Sequence, residues 1–256
     1  MFSLELPTLF RQNGRFMATS FSPTRQDVER YRSLRALGME LNHRVIQTIP
    51  RQAFDEIGDA LGIRRNGVLV FDSEDMTSVM MDCCLYDWYH NGKNLVQRYA
   101  ETQPATPRTD ESYLLQACLK ARYRILMAQS AVPGAGIHCH DVLNGGELFL
   151  IDLAMSQIIP SVNAALATRT VPLGEYWMTT GAGLPVSSKK SILDALRRID
   201  TEHHNPLAGP GGVALSIARA CLAAGAADYI TYESLETSPR KYPRQPRWPG
   251  FKRRRR

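Results

Sequence analysis

The sequence predicts an α+β fold with a helical N-terminal half, a small five-stranded antiparallel β-barrel or sheet, C-terminal helices and a disordered basic tail. Three observations lead to this prediction. Apolar residues recur every three or four positions up to about residue 122, which is the period of an amphipathic helix. Between residues 123 and 186 the pattern changes to short apolar runs separated by turn residues. Residues 238–256 are basic, rich in proline and without apolar period.

The helical region covers residues 22–122. Its first helix is expected after Ser22, Pro23 and Thr24, because a hydroxyl cap and an early proline mark a helix start. The apolar positions of this helix are Val28, Tyr31, Leu34, Gly38, Leu41 and Val45. A second helix is predicted to begin at Pro50 and to end at Gly62.

Three more helices are predicted in the same region. One begins at Asp72 or Ser73, a short one lies around Leu95, and another opens at Thr109. The apolar run at residues 68–71 is interpreted either as a short strand or as a buried linker. Helices therefore dominate this half of the chain.

The barrel or sheet is predicted over residues 123–186. Asn144 and Gly145 lie between two apolar runs and both tolerate positive φ, which makes them a strong hairpin signal. Five strands in about 60 residues favour a small, strongly bent antiparallel sheet or barrel. The predicted strands cover residues 123–131, 137–143, 147–153, 164–171 and 176–180.

The two ends of the chain are predicted to differ from its middle. Residues 1–21 form an arm of undetermined structure, and residues 187–237 form C-terminal helices. Ser187 or Ser188 caps a surface helix, and the alanine-rich residues 213–227 form a buried helix. Residues 238–256 are predicted to be disordered and are called the basic tail below.

Composition excludes several classes of protein. The chain has 256 residues, of which 44% are hydrophobic and 22% charged, which are ordinary globular values. A chain of this length buries about 70% or more of its unfolded surface, so it needs neither disulfides nor a metal to fold. It contains no run of about 18 apolar residues, and its first residues lack the pattern of a signal peptide. An odd number of cysteines, five, then favours a reduced, cytoplasmic protein.

The charge of the chain is unevenly distributed. The formal net charge is +6, and the sequence pI is about 9.2. Nine basic residues and no acidic one lie in the basic tail, whereas residues 1–237 hold 22 basic and 25 acidic side chains. The body is therefore mildly acidic, and its composition does not favour a uniformly basic binding face.

A series of short motifs runs through residues 70–186. They are Met81-Asp82-Cys83-Cys84-Leu85-Tyr86-Asp87, Asn91-Gly92-Lys93-Asn94, Leu114-Leu115, Ala121-Arg122-Tyr123, Gly136-Ile137-His138-Cys139-His140-Asp141-Val142-Leu143, Gly146-Glu147-Leu148-Phe149-Leu150-Ile151-Asp152, Ala167-Thr168-Arg169 and Gly181. In this series the chain resembles a group of uncharacterised bacterial proteins, some of which end in a zinc-binding SEC-C module of the SecA type. The resemblance implies a helical module that leads into a small β-barrel, and it implies no known activity. The SEC-C module itself is absent here, because its zinc ligands are Cys and His and neither residue type follows Cys221.

His138 and His140 form the pattern in this chain that most resembles a pair of metal ligands. On a strand they point to the same face, and Glu147 follows across the next turn. These three residues are the candidate ligands of a metal-assisted hydrolase, which is the alternative function. The other interpretation places both histidines on the solvent-exposed face of a hairpin, with Cys139 in the core. Because tetrahedral sites usually need three or four protein ligands, no metal and no cofactor are predicted.

Two other motifs receive structural interpretations. Ser187-Ser188-Lys189-Lys190 matches the Ser-x-x-Lys spacing of some acyl-transfer enzymes, but their companion motifs are missing. The glycines at residues 209–212 lack the Gly-Lys-Ser/Thr ending of a nucleotide loop. A helix cap and a plain turn explain these two segments.

The basic tail supplies the main functional prediction. Arginine pairs with phosphate through two hydrogen bonds, and aromatic rings stack on unpaired bases. The sequence therefore predicts a non-enzymatic cytoplasmic binding or adaptor protein whose tail contacts RNA, DNA or a ribonucleoprotein. A further alternative is a protein-interaction module with an acidic protein partner. The candidate binding residues are Arg240, Lys241, Arg244, Arg247, Trp248, Phe251, Lys252, Arg253, Arg254, Arg255 and Arg256.

Overall fold

The computed structural model describes residues 22–158, 165–186 and 211–225, which contain seven helices and nine strands. The helices are α1 (Arg25–Ile46), α2 (Arg51–Leu61), α3 (Glu74–Tyr86), α4 (Leu95–Thr102), α5 (Asp110–Cys118), α6 (Met155–Ile158) and α7 (Gly212–Ala223). The strands are β1 (Arg64–Arg65), β2 (Val68–Leu69), β3 (Tyr89–His90), β4 (Lys93–Asn94), β5 (Arg122–Val132), β6 (Gly136–Asp141), β7 (Glu147–Ile151), β8 (Ala165–Leu173) and β9 (Tyr176–Pro185). The predicted α+β class, with helices before a small five-stranded barrel, is confirmed.

The helices of the N-terminal half begin where local chemistry places their caps. Thr24 and Asp27 form a reciprocal capping box at α1, which satisfies two backbone donors that the helix leaves free. Ser73 caps α3 and Thr109 caps α5 through their side-chain hydroxyls. α2 ends at Gly62, whose φ of +74° is the left-handed conformation that favours glycine.

Two small hairpins interrupt the helical region. Residues 64–65 pair with residues 68–69, and residues 89–90 pair with residues 93–94, both antiparallel. Of the two interpretations of residues 68–71, the strand is correct for Val68 and Leu69. Asn66 and Asn91 take positive φ at the two turns, and each is followed by a glycine.

The five strands β5–β9 close into a barrel in the order β5-β6-β7-β9-β8. Four neighbouring pairs are antiparallel, but β7 and β9 are parallel, with Leu150 opposite Trp177. The prediction of an antiparallel barrel is therefore wrong for this pair. An odd number of strands cannot alternate in direction around a closed ring, so at least one pair must be parallel. Here β9 fills the gap between β7 and β8.

This strand order is that of the oligonucleotide/oligosaccharide-binding (OB) fold. Numbered within the barrel, the strands follow the order 1-2-3-5-4, and the short helix α6 lies between the third and fourth strands. Met155 of α6 packs against the cluster of buried side chains that fills the barrel. A shared strand order establishes topology and does not by itself establish function.

The barrel interior is filled by side chains. Its apolar cluster consists of Leu126, Ala128, Ile137, Cys139 and Leu150, with Leu148, Met155 and Trp177 packed against it. Arg124 and Asp141 form an ion pair in the same interior. Since side chains occupy the interior, a ligand has to bind outside the barrel or beside it.

The outer surfaces of β8 and β9 pack against the helices. α3, α5 and α7 contact these strands, and one cluster of buried residues includes side chains of α1 to α5, α7 and the barrel wall. The guanidinium of Arg35 in α1 donates to the backbone carbonyl of Thr179 in β9. The helical region and the barrel therefore share one hydrophobic core.

The predictions for the chain ends are tested only in part. The buried C-terminal helix is confirmed as α7, with Leu215, Ile217, Ala218 and Cys221 buried. The arm at residues 1–21, the helix predicted from Ser187 or Ser188 and the basic tail lie outside the described residues. Within the described ranges, no helix has both the length and the apolar character needed to cross a bilayer.

Candidate functional site

All eleven residues proposed for nucleic-acid binding belong to the basic tail and lie outside the described residues. The serine–lysine motif at residues 187–190 also lies outside the described residues. The tail therefore remains a prediction from the sequence. The candidates that can be placed in the fold are those of the barrel.

His138 and His140 lie on β6, and Glu147 is the first residue of the neighbouring strand, β7. The register places His140 opposite Glu147 and His138 opposite Phe149, so all four share the outer face of the barrel. The rings of His138 and Phe149 meet edge to face, with their centroids 4.8 Å apart. Glu147 Oε1 accepts a hydrogen bond from Gln129 Nε2 at 3.0 Å.

This pair of histidines gains no further ligand in the part of the chain that the structure describes. Among these residues, no group of three or more His, Cys, Asp and Glu side chains is arranged to hold a metal ion. Partial burial lowers the pKa of His138, and the nearby Glu147 carboxylate opposes this only in part. His138 is therefore packed against an aromatic ring rather than aimed at a shared ligand position.

A different site lies between the helical region and one end of the barrel. A cavity of about 530 Å³, called the helix–barrel cavity, is bounded by the ends of α3 and α5, the starts of α4, β5 and α7, the β6–β7 turn and β8. Its polar wall residues include Asp87, Asn94, Gln97, Asn144 and Arg169. Its volume falls within the range of small-molecule pockets, about 300–1,000 Å³.

A buried cluster of three charged residues lies at this cavity, and two of them, Asp87 and Arg169, line it. Arg169 Nε donates to Asp82 Oδ2 at 2.9 Å, and Arg169 Nη2 donates to Asp87 Oδ2. The exposed fractions of the side chains are 5% for Arg169, 6% for Asp82 and 3% for Asp87. One guanidinium thus connects β8 of the barrel to the C-terminal half of α3, through Asp82, and to its C-terminal cap, Asp87.

Two aromatic rings cover the guanidinium of Arg169. Its central carbon lies 4.6 Å from the ring centroid of Tyr86 and 5.4 Å from that of Tyr123. Contacts of this kind stabilise a desolvated cation through the negative face of the ring. Burial raises the pKa of Tyr86 and of Tyr123, so both phenols stay neutral near neutral pH.

The surroundings of Asp87 disfavour its ionised form. Burial raises the pKa of its carboxyl to about 7, although the Arg169 guanidinium lowers it; the neighbouring Asp82 carboxylate raises it further. Two carboxylates share one guanidinium, so when both are ionised one negative charge has no buried counter-charge in the cluster. A strongly shifted carboxyl in a cleft is a common property of functional sites and also occurs in structural networks.

The sequence interpretation missed this cluster. Asp82, Asp87 and Arg169 appeared only inside the motifs that carried the family resemblance, without a role. The available signal was the position of Asp82 in the apolar run between Met80 and Leu85, since a carboxylate in such a run is buried when the helix packs. Its partner could not be located, because Arg169 lies 87 residues away along the chain.

The comparisons with known proteins identify the family of the chain. The model of a family of unknown function, DUF7986, matches residues 25–204. The chain belongs to DUF7986. The match spans α1 to β9, so both the helical region and the barrel are part of what DUF7986 describes, whereas the basic tail lies beyond the matched residues. No curated protein and no solved structure matches the chain.

Membership of DUF7986 agrees with the resemblance to an uncharacterised family. The Asp82, Asp87 and Arg169 cluster lies within the DUF7986 match, as do the two barrel histidines. Because the description of DUF7986 assigns no activity, the function has to be argued from the residues of this chain.

Proposed function

We propose that this protein is a non-enzymatic cytoplasmic binding protein whose basic tail contacts nucleic acid or a ribonucleoprotein. The observation that supports this proposal is the separation of charge along the chain. The tail holds nine basic residues and no acidic one, whereas residues 1–237 hold three more acidic than basic side chains. A polyanion is therefore attracted to the cationic tail rather than to the mildly acidic surface of the body.

The residue types in the tail fit nucleic acid better than a generic anion. Seven of the nine basic residues are arginines, whose planar guanidinium binds phosphate through two parallel hydrogen bonds. Tyr242, Trp248 and Phe251 alternate with the basic residues. Aromatic side chains stack on bases that are not paired, which favours single-stranded segments as the target.

The barrel gives indirect support to the same proposal. In OB folds the outer face of the second and third strands binds oligonucleotides, and these strands correspond to β6 and β7 here. On this face His138 and His140 are partly exposed and Phe149 is buried, and neither strand contains Lys or Arg. Nucleic acid on this face would therefore need its phosphates neutralised by another segment, and the basic tail has the required charge.

The test is binding of the full chain to a labelled single-stranded RNA and a labelled DNA duplex, measured by fluorescence anisotropy across a salt series. Engagement of six or more phosphates predicts an affinity loss of about a thousandfold between 50 and 200 mM salt. A full-length variant with all nine basic tail residues replaced by glutamine is expected to lose binding. An unchanged affinity in that variant would exclude the tail as the contact.

Two matched variants separate charge from chemistry. Replacing the seven tail arginines by lysine keeps the charge but removes bidentate geometry, so the salt slope stays and the affinity falls severalfold. Trp248→Ala with Phe251→Ala keeps all nine charges and should weaken single-stranded RNA more than duplex DNA. Equal competition by polyglutamate would instead indicate an acidic protein as the partner.

A further inference from the structure

The helix–barrel cavity presents one charged group to solvent, and that group is a cation. The exposed residues of its lining, which mark its opening, are Arg122, Asn144 and Val213. Asp87 and Arg169, the other charged residues of the lining, are buried and ion-paired with each other. Arg122 forms no ion pair within the described ranges. The opening therefore attracts an anion, and a planar guanidinium suits the oxygens of a phosphate group.

Helix α7 adds hydrogen-bond donors to the same cavity. Its residues Val213 and Ala214 line the space, so the helix begins there. Gly211, the N-cap, has no side chain that could accept from the first free N–H groups. A Cβ at this position would lie 2.6 Å from the Cβ of Asp87, so a capping serine or aspartate has no room. The N-terminus of α7 supplements Arg122, because it offers N–H donors and a partial positive charge to an anion.

Behind the opening, the lining suits a planar ring with polar edges. Tyr89 and Tyr123 are half-buried there, and aromatic rings of this kind stack on nucleic-acid bases. Gln97 Oε1 accepts from a backbone N–H at the start of α4, whereas its Nε2 has no acceptor in the part of the chain that the structure describes. Asn144 donates through its Nδ2, and none of these residues donates to its Oδ1. A free amide donor and a free amide acceptor can pair with the edge of a base.

A nucleotide combines the two features that this cavity accommodates, which are an aromatic ring with hydrogen-bonding edges and a phosphate group. The cavity volume of about 530 Å³ lies within the range of small-molecule pockets, about 300–1,000 Å³. We propose that the helix–barrel cavity binds one nucleotide, with its base against Tyr89 and Gln97 and its phosphate on Arg122. A free nucleotide and an unpaired nucleotide within a strand share this chemistry. The site lies in the body of the protein and does not depend on the basic tail.

The experiment is titration calorimetry of the full chain and of the full-length variant whose nine basic tail residues are replaced by glutamine, both freed of nucleic acid. The probes are AMP, GMP, CMP and UMP. Ribose phosphate, which lacks the base, and the matching nucleoside, which lacks the phosphate, are the control ligands. We expect at least one nucleotide to bind both proteins, and both control ligands to bind at least about tenfold more weakly.

Two results would overturn the proposal. One is the absence of binding by all four nucleotides at millimolar concentration, and the other is equal binding of ribose phosphate, which would indicate a phosphate site without a base site. Nucleotide binding that is lost in the glutamine variant belongs to the tail and would also exclude the cavity. Since that variant has no tail charge, the tail proposal and the cavity proposal can fail independently.

A trinucleotide with the preferred base at its centre identifies the source of the ligand. In the glutamine variant, binding of the trinucleotide as tight as that of the mononucleotide, or tighter, supports the site and assigns it to an unpaired nucleotide within a strand. Binding of the mononucleotide alone supports the site and assigns it to a free nucleotide.

Three variants assign the binding to the cavity. Arg122→Gln should reduce nucleotide affinity about tenfold or more, because it removes the charged phosphate donor. Gln97→Glu keeps the oxygen that caps α4 but replaces the free donor by an acceptor, and Tyr89→Leu removes the stacking surface, so each should weaken binding severalfold. Arg65→Gln is the matched control, because Arg65 is also exposed but is not part of the cavity lining. Binding that survives Arg122→Gln, or that falls equally in Arg65→Gln, would refute the assignment.

Discussion

Inside the barrel, Nη1 of Arg124 donates a hydrogen bond to Oδ2 of Asp141, and the two side chains are 7% and 0% exposed. Arg124 Nε also donates to Thr170 Oγ1 at 2.9 Å, and its guanidinium lies 4.2 Å from the ring centroid of Trp177. Asp141 accepts in addition from the backbone N–H of Asn144 at 3.0 Å. The pair therefore ties β5 and β8 to the turn between β6 and β7.

Removal of one member of this ion pair should destabilise the barrel strongly. In Asp141→Ala, Arg124 stays charged and buried without its carboxylate, so we expect the free energy of unfolding to fall by about 3–5 kcal/mol. Urea denaturation followed by circular dichroism measures this change. As a control, Glu101→Ala breaks the exposed pair with Lys93 and should lower stability far less. Equal losses in the two variants would show that the interior pair has no special structural role.

Two glycines offer a matched test of packing in the barrel and in α1. A Cβ on Gly136 would lie 2.2 Å from the carbonyl oxygen of Leu150 and 2.8 Å from the ring of Phe149. Gly136→Ala must therefore push β6 and β7 apart, and we expect a loss of about 1–3 kcal/mol or more. At Gly38 the new Cβ meets Leu114 at an ordinary 3.5 Å, so Gly38→Ala should stabilise α1 by about 0.5–1 kcal/mol. Thermal unfolding of both variants measures these shifts, and the same sign in both would contradict this explanation.

The elements that were predicted well are those specified by neighbouring residues. The caps at Thr24, Ser73 and Thr109 and the stop at Gly62 depend on side chains within one helical turn. The five barrel strands were likewise located from local alternation and turn glycines. What local patterns could not provide was the pairing order, and hence the parallel contact of β7 with β9. Because five strands cannot all alternate in direction around a closed barrel, at least one parallel pair was required.

The candidate site was less accessible to sequence reasoning for a physical reason. His138 and His140 were found because residues two apart on a strand point to the same face, and this spacing can be recognised in the sequence alone. Asp82, Asp87 and Arg169 come together only when α3 packs against the barrel wall at β9, beside β8. No periodic pattern in the sequence predicts a contact between residues 82 or 87 positions apart. Buried charge clusters of this kind follow from tertiary packing.

The five cysteines are expected to be unreactive in the folded protein. All of them lie within the described residues and are buried as free thiols. Burial raises the pKa of Cys84 and Cys139 to about 12 and that of Cys118 and Cys221 to about 11, so the nucleophilic thiolate is scarce at pH 8. Titration with a chromogenic disulfide reagent should detect almost no thiol in the native protein and all five in denaturant. Rapid native labelling would mean that at least one thiol is accessible.

Stability should depend on pH through Asp87. The pKa of its carboxyl is about 7 in the folded protein and about 3.9 in an unfolded chain. Between these values the folded state binds more protons than the unfolded state, so the free energy of unfolding falls as pH rises. The contribution of the neutral carboxyl is complete below about pH 4 and is lost as the pH passes through 7.

The difference between the parent protein and Asp87→Asn isolates this effect from the other titrating groups. From pH 5 to pH 8 we expect the parent protein to lose stability relative to Asp87→Asn, with a slope approaching about 1.4 kcal/mol per pH unit near pH 5. Asp110→Asn is the control, because Arg30 lowers the pKa of Asp110 and its titration is complete below this range. Urea denaturation at each pH measures all three proteins. A difference that stays constant from pH 5 to pH 8 would show that Asp87 is ionised in the fold, with Arg169 supplying enough charge for both carboxylates.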